Sequence, residues 1–348
     1  VICLFIGVPV AFSLGLASLA YFLGANMPIA TFSQRFFAGI DSFTLLCIPG
    51  FTLAGNLMNQ GGISDKLMDF CDKLVGHLTG GMAYANIMAS MIFAGISGTA
   101  LSDTVALGGI EIPMMVDLGY DKSFSVAVTA ASSCMGPIIP PSLPMIMAAT
   151  MTGLSVSKMF MAGIVPGILM GLCCMLVAFV GAKKAGMKAT GYDKSKSIGK
   201  TIWDAVPSLL LIVIVIGGIV SGIFTATEGA GIAVLYCLIL SIVYKSITFK
   251  SFLKILLDSA KTSGIILFLI SASSAMSFVM AYSGIPAAIS NGLMSLTSNK
   301  YIIFLLMNII LLVIGMFMDI TPAILIFTPI FLPIATSFGM TEIQFGVM

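Results

Sequence analysis

The sequence predicts an all-α polytopic membrane protein built from inverted repeats, with two re-entrant hairpins and broken helices, and three observations carry that expectation. Of its 348 residues, 59% are hydrophobic and only 9% charged, against roughly a quarter charged in an ordinary soluble domain. Mean hydropathy is +1.12, and apolar runs recur at about the 20 residues that cross a hydrocarbon core of roughly 30 Å. Three of those runs are interrupted by Gly, Pro, Ser and Asp, at depths where bare backbone survives only against protein or a polar cavity.

Taken along the chain, uninterrupted spans are expected at 1–23, 42–59, 160–182, 205–224, 229–244 and 262–282. Each is long enough to cross with some tilt. The interrupted segments are 82–117, 123–156 and 301–338. Two short stretches, 64–77 and 285–297, are flanked by turns, and the first sets Lys66, Asp69 and Lys73 on one face at helical spacing. Helices of that kind lie along a membrane surface.

Orientation follows from the lysines, because cytoplasmic loops are enriched in basic residues. Lys183, Lys184, Lys188, Lys194, Lys196 and Lys200 fill one loop, and Lys245, Lys250, Lys254 and Lys261 fill another, ten of the sixteen basic residues together. Two spans joined by a turn at Thr225 to Glu228 separate the loops, so both face the cytoplasm. Counting back, Lys158 lies outside, Lys122 inside, and Lys66 and Lys73 on the cytoplasmic surface. Segment 82–117 then starts and ends inside, a hairpin with its tip near residues 97–103. Counting forward, 301–338 starts and ends outside, a second hairpin from the opposite face.

A shift of 220 places Gly95 on Gly315, Pro113 on Pro333 and Gly119 on Gly339, and a shift of 222 places Gly62 and Ile63 on Gly284 and Ile285. The halves therefore read as inverted repeats, and inverted repeats with discontinuous helices mark secondary transporters. The counterpart of 136–142 would fall near 356–362. The chain also opens inside an apolar run without Met and stops in mid-pattern, as a piece of a longer protein would.

The first tip, Gly95-Ile-Ser-Gly-Thr-Ala-Leu-Ser-Asp103, combines two glycines, three hydroxyls and an acid. Glycines turn the chain sharply, and carbonyl and hydroxyl oxygens are the ligands a hard cation such as Na⁺ takes. The half-helix that follows aims amide N–H groups at an anion. In Gly136-Pro-Ile-Ile-Pro-Pro-Ser142 three prolines forbid continuous helix, and Ser142 stands at the start of the next half-helix as a cap or anion contact. The second tip, Gly315 to Pro322, repeats the logic with Asp319 and Thr321. Asp103 and Asp319 are each open to three roles: capping the following half-helix, ligating a cation, or carrying a proton. Glu111 is expected to be exposed near the cytoplasmic end of its hairpin, and His77 to be a solvated interfacial residue.

Several function classes drop out. A net charge of +2 with one histidine provides no basic surface for nucleic acid. Seven cysteines without CxxC spacing suggest neither a disulfide frame nor a zinc site, and 25 scattered methionines are flexible packing. No nucleophile and base, and no His/Glu metal motif, share one depth, so the chain is not expected to be an enzyme.

The stretches GISGTALSD, IPMMVDLGYD, GPIIPPS, GIFTATEGAGIAVLY and GMFMDITPAILIFTPIFLPIA, in that order, resemble the large membrane (M, DctM-like) subunit of tripartite ATP-independent periplasmic (TRAP) transporters. The likeness covers essentially the whole chain. It implies an elevator-type transporter of the ion-transporter superfamily, in a bacterial or archaeal cytoplasmic (inner) membrane. An extracytoplasmic substrate-binding protein would deliver a small organic acid anion, a small four-helix membrane subunit would support the large one, and Na⁺ would be the coupling ion. Carboxylates, keto acids and sugar acids, of the C4-dicarboxylate or sialic acid class, all suit amide-lined tips.

Carried onto this chain, the resemblance makes Ser97, Gly98, Thr99, Gly136 and Pro137 the first Na⁺ site and Gly315, Asp319 and Thr321 the second. Thr99, Ser102, Asp103, Ser142 and Thr321 would contact substrate. Two stretches depart from the family's habit: Thr99-Ala-Leu-Ser-Asp103 replaces Ser-Ala-x-Ala-Asp, and Ala226 replaces a proline. The expected organisation has scaffold helices at 1–62 and 201–284, surface arms at 63–79 and 285–299, and a transport domain at 80–200 and 300–348. A one-component Na⁺/dicarboxylate symporter of related architecture is the alternative reading.

Overall fold

A computed structural model describes residues 6–184, 198–296, 299–316 and 318–348. Among them every regular element is helical. In chain order these are α1 (Val10–Gly24), α2 (Ile29–Ala38), a 3₁₀ turn at Phe43–Leu46, α3 (Cys47–Gln60), α4 (Ile63–Val75), α5 (Gly81–Ser97), α6 (Ala100–Ala106), α7 (Gly108–Asp117), α8 (Lys122–Ser133) and α9 (Leu143–Thr152). There follow α10 (Val156–Lys184), α11 (Ile198–Val220), α12 (Ala226–Val243), α13 (Phe249–Tyr282), α14 (Ile285–Leu296), α15 (Lys300–Gly315), α16 (Ile320–Ser337) and α17 (Glu342–Val347). By length and composition five helices can cross a membrane, or six if α2 and the 43–60 segment, bent by 56°, form one span.

Most expected spans correspond to helices, and the three interrupted segments each break where Gly or Pro predicts. Lys188, Lys194 and Lys196 lie outside the described residues. The second lysine-rich segment corrects the sequence reading. Helix α13 already starts at Phe249 and runs 34 residues, so Lys250, Lys254 and Lys261 sit on helix rather than in a loop. Hydropathy marks where a chain meets lipid, whereas lysine has good helix propensity in water as well.

The chain divides into two compact units. The first comprises Val1–Leu46, Ile146–Ser155 and Lys261–Met348. Its core gathers Met280, Ile303, Met307, Ile330, Phe331 and Ile334 beneath Phe345, so that α14 and α15 both pack on α16. An aromatic cluster ties α1, α2 and α13 together, with Phe22 5.8 Å from both Phe32 and Phe278, and Phe36 5.6 Å from Phe268.

The second unit comprises Cys47–Met145 and Val156–Ala260. Helices α3 and α12 approach so closely that a Cβ on Gly50 would lie 2.7 Å from the Cβ of Ala230. Helix α12 is opened by a capping box between Thr225 and Glu228, which satisfies two otherwise orphan amides and accounts for the tight turn expected there. Amphipathic α4 buries Ile63, Leu67, Met68 and Cys71 against α5 and α11, and Lys66 lies 4.4 Å above the Tyr244 ring. Burial raises the Asp72 carboxyl above its ordinary range, with Lys73 opposing and neighbouring Asp69 adding to the rise. At the start of α11 the sole tryptophan, Trp203, is 76% exposed, the placement of an interfacial aromatic anchor.

Candidate functional site

Helix α5 ends at Ser97 because Gly98 takes a left-handed conformation, φ 64°, which costs glycine nothing and other residues about 1–2 kcal/mol. Thr99 is extended and caps α6, its hydroxyl accepting from the Ser102 amide at 3.2 Å. The capping role open to Asp103 therefore belongs to Thr99. Asp103 sits in the first turn of α6, fully buried, and neither carboxylate oxygen has a hydrogen-bond partner among the described residues. The buried Ser97 hydroxyl is likewise unpartnered.

The second break follows α8. From Cys134 to Ser142 the chain leaves the helix, the Pro140–Pro141 peptide bond being cis. Ser142 resumes it: its hydroxyl donates back to the Pro137 carbonyl and accepts from the Met145 amide at 3.2 Å, the cap expected from sequence.

The two breaks meet. The Leu143 amide donates to the Gly98 carbonyl at 3.2 Å. A Cβ on Gly98 would stand 2.5 Å from the Pro141 carbonyl oxygen, and one on Gly136 2.9 Å from the Thr99 carbonyl oxygen. The structure thus brings together Ser97, Gly98, Thr99, Gly136, Pro137 and Ser142, with Ser102 half-buried and Asp103 in the adjoining turn.

Beneath the tip runs a polar seam that sequence reading missed. The Asn86 amide donates to Thr129 at 2.7 Å, Ser132 donates to the Asn86 oxygen at 3.1 Å, and Ser90 donates to Ser132 at 3.0 Å. Ser90 and Ser133 face the Asp103 carboxylate, yet their protons go to Ser132 and the Thr129 carbonyl. Glu111 is also fully buried, with both carboxylate oxygens unpartnered among the described residues, which corrects the exposed position expected for it. The signal for the seam was spacing: Asn86 and Ser90 on α5, and Ser125, Thr129, Ser132 and Ser133 on α8, each recur one helical turn apart inside apolar runs.

Gly315, Asp319 and Thr321 belong to the other unit and are described there. Gly315 and Asp319 are exposed and Thr321 half-buried. Asp319 occupies the N-cap position of α16 without a side-chain bond to its amides. No group of three or more His, Cys, Asp or Glu side chains gathers among the described residues. A hard cation would need hydroxyl and carbonyl oxygens instead.

Helix breaks packed tip to tip within apolar helices are the build of a secondary transporter. The family model of the tripartite ATP-independent periplasmic transporter DctM component matches residues 1–348. The chain belongs to this DctM family of TRAP transporter large permeases. It is 44% identical to the Salmonella typhimurium protein YgiK over 100% of this chain and 81% of that protein. To the isethionate TRAP transporter permease protein DctMQ of Oleidesulfovibrio alaskensis it is 40% identical, over 99% of this chain and 55% of that protein. To the sialic acid TRAP transporter large permease protein SiaM of Vibrio cholerae it is 36% identical, over 99% and 81% respectively. The crystal structure of the Alcanivorax borkumensis YdaH transporter matches with a TM-score of 0.65 at 14% identity, over 92% of this chain and 75% of that one. That likeness speaks to fold alone.

Proposed function

We propose that this chain is the Na⁺-coupled permease subunit of a transporter that imports a small organic acid anion, delivered by an extracytoplasmic binding protein, across a bacterial cytoplasmic membrane. A small four-helix membrane subunit would be its partner, and transport would follow an elevator mechanism. The observation that carries the reading is the meeting of the 97–99 and 134–142 breaks, with a buried hydroxyl and a buried carboxylate left without hydrogen-bond partners among the described residues. Relatives named for isethionate, sialic acid, 2,3-diketo-L-gulonate and C4-dicarboxylates support the ligand class, since all are organic anions.

The tips hold no lysine or arginine; within 81–152 the only basic residue is Lys122, at the start of α8. An anion would therefore rest on half-helix amides, on Thr99, Ser102 and Ser142, and on a bound cation, with Thr321 a substrate contact proposed for the other unit on its own. Na⁺ at Ser97, Gly98, Thr99, Gly136 and Pro137 would be the first such charge, offsetting Asp103, and Na⁺ at Gly315, Asp319 and Thr321 the second. Cation binding before substrate gives coupling: without Na⁺ the anion meets an uncompensated carboxylate. The moving body would be residues 80–200 and 300–348 and the scaffold 1–62 and 201–284, joined by the arms at 63–79 and 285–299.

The test is uptake of labelled organic acids into proteoliposomes holding the full-length subunit and its small partner, with and without an inward Na⁺ gradient and a binding protein. Uptake that needs both is expected. Uptake indifferent to Na⁺ would remove the cation role, and saturable Na⁺-driven uptake without the binding protein would convert the reading to a one-component symporter.

A further inference from the structure

The unit formed by Val1–Leu46, Ile146–Ser155 and Lys261–Met348 carries a half-open cavity of about 430 Å³ whose lining comes entirely from that unit, with Arg35 exposed at its mouth. The volume falls within the roughly 300–1,000 Å³ of small-molecule sites. Its polar lining is Arg35, Ser42, Thr150, Ser274 and Ser277, and none of the described residues lining it is acidic. Arg35 is the only arginine in the chain.

The arginine is held in place. A Cβ on Gly39 would lie 2.6 Å from the Cβ of Ser274, so only a residue without one lets α2 settle this closely on α13. One turn away on each helix, the Arg35 guanidinium lies 4.4 Å above the Phe278 ring, and Phe278 is backed by Phe22 and Tyr282. Stacking uses the guanidinium face and leaves the N–H donors at its edge. Among the described residues nothing takes them up by hydrogen bond or ion pair. Thr150 spends its proton on the Ile146 carbonyl at 2.8 Å, and Ser274 and Ser277 are the other hydroxyl-bearing residues of the α13 wall.

Orientation adds a second reason. The lysine asymmetry puts residues 24–41 outside, where basic residues are disfavoured, and where Arg35 keeps company only with Lys158 and Lys300. A planar, permanently charged fork retained there suits bidentate binding of a carboxylate.

We propose that this cavity is a capture site for the carboxylate of a small organic acid, separate in residues from the paired helix breaks. Arg35 takes the carboxylate edge-on, Ser274 and Ser277 donate to its remaining oxygens, and Met147 and Leu325 cover the carbon skeleton. The ligand class rests on the organic-acid reading above, but the site does not.

The test is thiol protection in the full-length transporter in lipid nanodiscs. Ala281, which lines the cavity, is replaced by Cys, and its alkylation by a charged maleimide is followed against the parent protein, which corrects for native exposed thiols. Succinate, pyruvate and gluconate serve as probes, with chloride and inorganic phosphate as controls. At about ten times its Kd a bound probe should slow alkylation about tenfold. Arg35→Gln should abolish the slowing, and Arg35→Lys should keep part of it at an unchanged melting temperature. The proposal is overturned if no acid slows the reaction, if slowing persists in Arg35→Gln, or if phosphate or chloride protects as well as the acids do. Protection without Na⁺-driven uptake would keep the cavity and sink the transport reading, and uptake without protection would do the reverse.

Discussion

The break at 97–99 and the break at 315–319 share a sequence plan, with a glycine, an acid four or five residues on and a half-helix after it, yet they stand in different surroundings. At the first, Ser97, Gly98 and Asp103 are buried, and the proline-rich 134–142 segment packs against the turn through the Leu143 to Gly98 hydrogen bond. At the second, Gly315 has nothing within 4 Å of a would-be Cβ, Met316 is 79% exposed, and Asp319 faces outward. The difference is the second broken helix, which covers the first tip and has no counterpart against Gly315 among the described residues.

The sharpest way to break that comparison is a methyl group. Gly98→Ala places a side chain 2.5 Å from the Pro141 oxygen at a positive φ, and should cost about 2–4 kcal/mol of stability and abolish uptake. Gly315→Ala meets open space at ordinary φ and should change stability by less than about 1 kcal/mol, in the stabilising direction if at all. Thermal melting of the two variants in detergent settles the pair, and equal losses would void the comparison.

Cation binding gives the next largest effect. Replacing K⁺ by Na⁺ at about ten times its Kd should stabilise the protein by about 1.4 kcal/mol through mass action. Ser97→Ala should remove this shift and Thr321→Ala should leave most of it; the opposite result would move the stronger site to the second tip. Ser142→Ala comes third. It deletes the cap of α9 and should lower stability by about 1 kcal/mol, with a weaker Na⁺ response because the break it anchors loosens.

The smallest effect concerns how each region's helix is started. Asp121 accepts from the Ser123 hydroxyl and caps α8 through the Phe124 amide at 3.1 Å, and the Ser123 bond first, then the Phe124 bond, holds its carboxyl below the ordinary 3.8. Its contribution is therefore complete above that ordinary value and fades as pH falls through the lower folded value. Asp121→Ala should lower the melting temperature slightly at pH 7 and not at all once the carboxyl is protonated in both states. Asp319→Ala, with no cap bond to lose, should leave the melting temperature unchanged at pH 7.

The helix breaks were legible because Gly98 and Pro137, Pro140 and Pro141 act through local backbone rules that need no partner. Gly62 and Gly284, which a shift of 222 superposes, both adopt positive φ, 72° and 69°, and Gly119 and Gly339 do so at 87° and 85°. What escaped the sequence depends on neighbours. Glu111, in Gly-Gly-Ile-Glu-Ile-Pro, reads as a charged helix end, and only the packing of α7 on α8 and α5 makes it interior. The seam from Asn86 to Ser132 joins residues more than 40 positions apart. Nothing in the local sequence marks Arg35, because its ring partner Phe278 lies far along the chain.

Trp203, exposed at the start of α11, has an optical consequence. With a single indole in the chain, excitation at the red edge of the protein band reports from one position only, and that position lies at the lysine-bearing interface. Collisional quenching by brominated lipids or by aqueous iodide would read its depth directly, as a gauge of how this unit sits against the headgroups, without attaching a dye to any of the seven cysteines.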